Sequence, residues 1–321
     1  MTMHQAIGTR RLVVLAKKAG ILWAFIGLCV VLAILSPAFI TPNNLMNVIK
    51  QISVNGILGI AMTFVLILGG IDLSVGSLIA LTGVCSAYFA QQATGLPLIV
   101  PIAVALAVGA AAGLANGIGI AYVGFAPFIM TLAMMSSLRG LGLVLSNGIP
   151  IFGLSKHFNA IANGFVLGVP NLVYFLIIVM AIGVFVLRRT VLGKWVYAIG
   201  GNEVAARLSG INTRRIKTLI YLGSGLLAGL CGVLMASRIT SGSPIIGVGY
   251  ELNAISAAVI GGVSMSGGAG NLLGTLVGAL IIGVIQNGLD ILGVSPFYQQ
   301  IMQGLIIMVA VFLDIKSKSR L

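Results

Sequence analysis

ISVNGILGIAMTFVLILG, residues 52–69, is an apolar run without a single Asp, Glu, Lys or Arg. A helix crossing the hydrocarbon core of a bilayer needs about 20 such residues. In lipid, each backbone polar group must find its partner inside the segment, which a helix achieves alone. Working outward from this run, similar stretches lie near residues 20–37, 76–92, 97–122, 126–146, 170–188, 217–239, 250–263, 271–288 and 298–314. The expected fold class is therefore all-α: a polytopic membrane protein with about ten transmembrane helices.

Composition agrees with that reading. Of 321 residues, 59% are hydrophobic and 7% are charged, with 18 Lys and Arg against 5 Asp and Glu. A soluble domain carries roughly 25% charged residues to keep its surface hydrated, so lipid must be the solvent here. The net charge of +13 does not point to nucleic acid, because the basic residues lie at the ends of apolar stretches and no recognition motif accompanies them. Arg10, Arg11, Lys17 and Lys18 precede the first span, seven basic residues fall between Arg188 and Lys217, and Lys316, Lys318 and Arg320 follow the last. Under the positive-inside rule these three groups share the cytoplasmic side, which puts both termini there. Lys50, Lys156 and Arg238 then fall at or near outer loops, and Arg139 falls within a span. Ile21 to Leu35 leads into SPAFITPNN with no small-residue cleavage pattern, so it reads as a retained span rather than a cleaved signal.

Small residues shape the interior. Gly109, Gly113 and Gly117, and again Gly270, Gly274 and Gly278, repeat at four-residue spacing, which lets helix backbones approach closely in lipid. Two polar segments interrupt the spans. Residues 147–169 should lie on the outer face. Residues 189–216 form the longest polar stretch, in which Glu203 to Leu208 reads as a short helix closed by Gly210. An internal echo suggests duplication: Asn116-Gly117, Gly124 and Pro127-Phe128 against Asn287-Gly288, Gly293 and Pro296-Phe297. The first set straddles an inner turn and the second an outer one, as in an inverted-topology repeat. The chain then reads as one permease-like domain over 1–321, with halves at about 20–146 and 217–314 around the 189–216 segment. A weaker echo, GGIDLSVGS at 69–77 against GGVSMSGG at 261–268, puts both copies on the cytoplasmic side and does not fit that inversion.

Chemistry-bearing side chains are few. Asp72 is the only acid in the first 200 residues. With Ser74 it either lines a polar route for a hydroxylated solute or caps the helix that follows, and both readings stay open. Asn55, Asn116 and Asn253 lie near or within spans, where amides either glue helices together or touch solute. Cys29, Cys85 and Cys231 have no ligand spacing and read as packing residues. His4 and His157 have no carboxylate or cysteine partner, so no metal site is expected. Gly193-Lys194 lacks the rest of a nucleotide-binding loop. If ATP drives this protein, another chain binds it.

GNEVAARLSGI, residues 201–211, resembles the cytoplasmic coupling segment of bacterial sugar permeases of the ribose/xylose/arabinose/galactoside family of ABC transporters. The likeness extends to TPNNLMNVIKQISVNGILGIAMTFVLILGGIDLSVGS, to SRITSGSPIIGVGYELNAISAAVIGGVSMSGGAGN and to NGLDILGVSPFYQQIMQGLIIM, covering about 36–314. The resemblance implies that Gly201, Asn202, Glu203, Ala205, Ala206, Arg207 and Gly210 dock on a cytoplasmic ABC ATPase subunit. Val204 stands where the family commonly has Ala. It implies a periplasmic sugar-binding protein and a second permease copy, as a homodimer or a heterodimer with a similar permease. It also implies ten helices in two inverted halves, as in the cobalamin importer, within the bacterial inner membrane. The chain itself would bind no cofactor, while the ATPase uses ATP and Mg. Asp72 and Ser74 match the family's GIDLSVG signature. Tyr250 and Glu251 match its GYEL segment, either as a contact for the binding protein or as packing against pore helices. The implied cargo is a monosaccharide, ribose or a related pentose or hexose. The competing reading is an ion-coupled secondary sugar transporter, which would need more titratable groups at mid-membrane than Asp72.

Overall fold

Proline fixes where several of the helices begin. Its ring presets the helical φ, and the amide it lacks would be unpaired in a first turn anyway. Pro42, Pro127 and Pro296 open three of the long helices in this computed structural model, which describes Trp23 and residues 25–318. His4, the N-terminal basic cluster of Arg10, Arg11, Lys17 and Lys18, and Arg320 lie outside the described residues. In chain order the helices are α1 (Phe25–Leu35), α2 (Pro42–Ile67), α3 (Val75–Ala90), α4 (Ile99–Ile118, continued by a π turn to Val123) and α5 (Pro127–Ser146). They continue with α6 (Lys156–Asn163), α7 (Asn171–Arg189), α8 (Val191–Gly201), α9 (Glu203–Leu208), α10 (Thr213–Arg238), α11 (Tyr250–Ile260), α12 (Leu272–Ile291) and α13 (Pro296–Lys318). The antiparallel hairpin of β1 (Phe165–Val166) and β2 (Val169–Pro170) is the one sheet among the described residues.

The protein is thus an all-α polytopic membrane protein. Among the described residues, six helices, including α2, α4 with its π extension, α10 and α12, are long and apolar enough to cross a bilayer, and α1, α3 and α11 are shorter apolar helices. One boundary differs by ten residues from the hydropathy reading, several others by three or four, and one helix was not expected. Helix α2 starts at Pro42 rather than near residue 52, because Asn43, Asn44, Asn47, Lys50 and Gln51 lower hydropathy without interrupting the backbone bonds. Helix α8 was hidden in a stretch read as polar, although VLGKWVYAIGG buries Gly193, Val196 and Ile199 on one side.

The two 26-residue helices organise the packing. Helix α2 lies against α11 and α12, and α10 lies against α3 and α4. The α4–α10 contact is a seam of small residues. A side chain at Gly109 would strike the Gly225 carbonyl, one at Gly113 the Tyr221 carbonyl, and one at Gly117 the backbone of Thr218. The second expected seam is shorter. Gly274 faces the carbonyl of Gly261, just past α11, and Gly278 that of Ala257 on α11, whereas Gly270 sits in the preceding loop beside Val263. The strong internal echo folds into equivalent local structure: a helix end, a left-handed glycine (Gly124 at φ 89°, Gly293 at φ 69°) and a proline-started helix.

The seam gives an internal comparison. Gly113→Ala should lower stability in detergent by about 1–3 kcal/mol, the usual cost of overpacking. Gly223→Ala, where nothing lies within 4 Å, should be neutral or stabilising through helix propensity. Thermal unfolding of the two variants checks this.

Candidate functional site

Helix α9 is built by its caps. The Asn202 side chain accepts the Ala205 N–H at 2.9 Å, satisfying one of the donors a helix start leaves free. At the other end Gly210 adopts φ 83°. Its N–H reaches the Arg207 carbonyl at 3.0 Å, and the Ile211 N–H reaches that of Ala206 at 3.1 Å. Glu203 at the start and Arg207 in the last turn complement the helix dipole. Lys217 on α10 pairs with Glu203 at 2.7 Å, fixing α9 to the foot of that helix. Ala206 faces inward, while Val204 (59%) and Leu208 (84%) are exposed. The sequence-predicted residues Gly201, Asn202, Glu203, Ala205, Ala206, Arg207 and Gly210 therefore form one compact unit. A cleft of about 550 Å³ beside it is lined by Glu203, Arg207, Lys217 and the turn Gly124–Pro127.

Helix α8 joins that unit to the bundle at backbone level. A side chain at Gly200 would overlap the Ile67 carbonyl and the Gly268 amide. The Gly268 N–H itself donates to Ile67 O at 2.8 Å, and Gly267 packs on Gly69. The two double-glycine turns, at 69–70 after α2 and at 267–268 before α12, thus touch each other and the end of α8. Tyr197 adds a bond from α8 to the Gly270 carbonyl at 2.7 Å. Burial pushes its phenol above the ordinary value, with Arg188 opposing, so the group stays protonated and donates.

The five residues read as pathway candidates fall into two groups. Asp72, Ser74 and Asn116 belong to one buried network. Asp72 Oδ1 accepts the Ser74 N–H at 3.0 Å and its hydroxyl at 2.6 Å, and Oδ2 accepts the Ser224 hydroxyl from α10 at 2.8 Å. Ser74 in turn accepts from Asn116 Nδ2 at 2.9 Å. Asp72 is 1% exposed. Its carboxylate holds the segment before α3 to α10 directly and, through Ser74 and Asn116, to α4.

Asn55 and Asn253 lie elsewhere, with side chains that the sequence did not single out. Asn253 Oδ1 accepts from Gln286 at 2.9 Å and from Gln303 at 2.7 Å. Gln286 Oε1 accepts from Gln51 at 3.2 Å and Asn55 at 3.4 Å. These side chains come from α2, α11, α12 and α13, and all but Asn55 border a cleft of about 230 Å³. The available signal was spacing: Gln51 and Asn55, and likewise Gln299 and Gln303, stand four apart on one helix face.

Three further candidates have partners within the bundle. Tyr250 is turned inward, with its hydroxyl 3.9 Å from Met235 Sδ. Glu251 lies against the start of α3 at Gly76 and accepts the Gly249 N–H at 3.3 Å. Arg139 donates to the carbonyls of Pro244 and Ile246 at 3.0 and 2.9 Å, holding the segment that leads into α11.

Residues 44–311 match the family described as branched-chain amino acid transport system / permease component. The chain belongs to this permease family. The permease is 44% identical to the ribose import permease protein of Bacillus subtilis (strain 168), covering 95% of each chain. It is 45% identical to the ribose import permease protein of Escherichia coli (strain K12), covering 92% of each. It is 38% identical to the L-arabinose ABC transporter permease of Azospirillum brasilense, over 94% of this chain and 88% of that one. No solved structure matches it. Family membership makes it a transport subunit rather than an enzyme, as its coupling-segment motif implied.

The Asp72 network is open to a double-mutant cycle. Asp72→Ala and Ser224→Ala should each destabilise the permease, the former by about 1.5–3 kcal/mol as a lost charged hydrogen bond. The double variant should cost clearly less than the sum of the two. Thermal unfolding in detergent gives all three values.

Proposed function

We propose that this permease is the membrane-spanning subunit of an ATP-binding cassette importer that carries ribose or a closely related monosaccharide. The observation that carries the reading is the capped α9, joined through the Gly200 backbone to both double-glycine turns. A passive channel has no use for a rigid exposed helix locked to its helix ends. The ribose and arabinose permeases among its relatives favour a sugar as cargo. The family's amino-acid label does not oppose this, since those sugar permeases are close and near full-length matches.

In this reading the connector between α7 and α10 is cytoplasmic and both termini share that side. Six long spans, three shorter apolar helices and α13 make ten crossings in a bacterial inner membrane. The chain divides into halves at about 20–146 and 217–314, with α2 to α5 corresponding to α10 to α13. Support comes from the equivalent glycine–proline turns and from reciprocal packing, α2 on α11 and α12 and α10 on α3 and α4. Such inverted halves are the arrangement expected of a cobalamin-importer-like permease, with a second copy of this chain or a similar permease completing the pore.

The mechanism then follows from rigidity. A cytoplasmic ATPase, using ATP and Mg, receives α9 with its exposed Val204 and Leu208. When the ATPase closes, α9 is displaced, and the Glu203–Lys217 pair carries that displacement to the foot of α10. Through Gly200 and Tyr197 the same push reaches the turns that end α2 and precede α12. Packed helices respond by rigid-body rocking rather than by gradual deformation. A periplasmic binding protein supplies selectivity from outside, so the pore needs no tight site. We place no contact for that protein on Tyr250 or Glu251, whose side chains point inward.

The test is uptake into proteoliposomes holding the permease, its ATPase and its binding protein, across labelled sugars. Uptake of one monosaccharide should require ATP and all three components; uptake without ATP would contradict the reading. Glu203→Arg and Gly210→Leu should insert normally yet lower uptake and binding-protein-stimulated ATP hydrolysis by about 5- to 150-fold, the span of ordinary coupling energies. Wild-type rates in both would remove α9 from the coupling role.

A further inference from the structure

We propose that the cleft between α2, α11, α12 and α13 is the place where a neutral, hydroxyl-rich solute sits in transit, held by carboxamide side chains. The proposal rests on the reading of the chain as a sugar permease and assigns that reading a site. Gln51, Asn253, Gln286, Gln299, Gln300 and Gln303 border the cleft, and among the described residues no charged side chain does. Apolar side chains such as Ile282, Leu289 and Ile306 complete its walls. That mixture suits a sugar, whose hydroxyls both donate and accept while its C–H faces are apolar. A carboxamide offers donor and acceptor together, without the desolvation cost of an ion.

The state of the amides separates a solute site from structural glue. Glue is visible nearby, where Asn44 and Asn287 exchange reciprocal bonds of 3.0 and 2.8 Å and satisfy each other. In the cleft Asn253 Oδ1 is well held, by Gln286 at 2.9 Å and Gln303 at 2.7 Å, but Gln286 Oε1 is not closed in this way. It receives two long bonds, 3.2 and 3.4 Å, the second from Asn55, which is outside the cleft lining and 2% exposed and has its Oδ1 buried with no partner. An unpartnered buried acceptor costs about 1–3 kcal/mol. Passing hydroxyls would trade with these stretched bonds at little net cost, as transit requires. Gln299 is held apart from this exchange by Asp290 and the Val294 carbonyl, at 2.8 and 3.0 Å. Gln51, Asn253, Gln286 and Gln303 are thus the working set.

The experiment reconstitutes the full complex with its ATPase and binding protein and measures labelled ribose uptake per ATP hydrolysed. Gln286→Leu and Asn253→Leu should lower that ratio by about tenfold, as expected for roughly 1.4 kcal/mol of lost hydrogen bonding, while ATP hydrolysis stays stimulated by the binding protein. Asn44→Leu, which breaks the glue pair, should lower thermal stability and leave the ratio unchanged. Should the leucine variants fail to assemble, Gln303→Cys in a background without Cys29, Cys85 and Cys231 takes their place. Modification of that thiol by a bulky methanethiosulfonate should block uptake. Wild-type ratios in the leucine variants, or full uptake after modification, overturn the cleft assignment alone. No ATP-dependent uptake of any monosaccharide by the wild-type complex overturns the permease reading beneath it.

Discussion

The rest of the structure depends on a contact made without side chains. Where α8 ends, Gly200 lies so close to the Ile67 carbonyl and the Gly268 amide that a single methyl would not fit. The Gly268 N–H completes the junction by donating to Ile67 O at 2.8 Å. Backbone-to-backbone contact is stiff, because there is no rotamer to absorb a displacement. A helix hung on this junction moves both turns with it. The capped α9, the Glu203–Lys217 pair and the Tyr197 bond each add to that rigidity.

Scarcity of charge is the second constraint, and it sorts the polar interior into kinds. Asp72 has three donors and Arg139 two carbonyls, so both charges are spent on holding short segments against long helices. What remains for solute is uncharged, and it collects on α2, α11, α12 and α13. An importer that moves a neutral sugar has no need to place an ion in that cleft. The same absence would handicap an ion-coupled carrier, which requires a group that changes charge during the cycle.

Much of this was legible in the sequence because lipid enforces simple rules. The apolar runs gave most helix boundaries to within a few residues, Asn202 and Gly210 gave α9 to the residue, and Gly109, Gly113 and Gly117 gave a close-packing face, though not α10 as its partner. The polar start of α2 was missed because hydropathy reports solvent preference, not backbone continuity. Helix α8 was missed because its buried side is only a few residues wide. The meeting of the 69–70 and 267–268 turns could not be read from spacing, since a contact across nearly two hundred residues is set by packing. Gln286 and Gln303 were passed over for the same reason: one amide on an apolar helix is unremarkable until others converge on it. Asp72 stood out as the one acid in the first 200 residues, but its bond to Ser224, 152 residues away, is set by packing and not by spacing.

The most direct test of the central claim, that α9 and the double-glycine turns move as one body, is a pair of spin-label distances in the complex with and without trapped ATP. Labels at Leu208 on α9 and Ala269 beside the second turn, in a background lacking the native cysteines, should keep the same separation in both states. Labels at Leu208 and Leu167, the exposed tip of the hairpin, should change separation when ATP is trapped. A change between Leu208 and Ala269 with none between Leu208 and Leu167 would show that α9 swings freely, and the junction at Gly200 would not be the route of coupling.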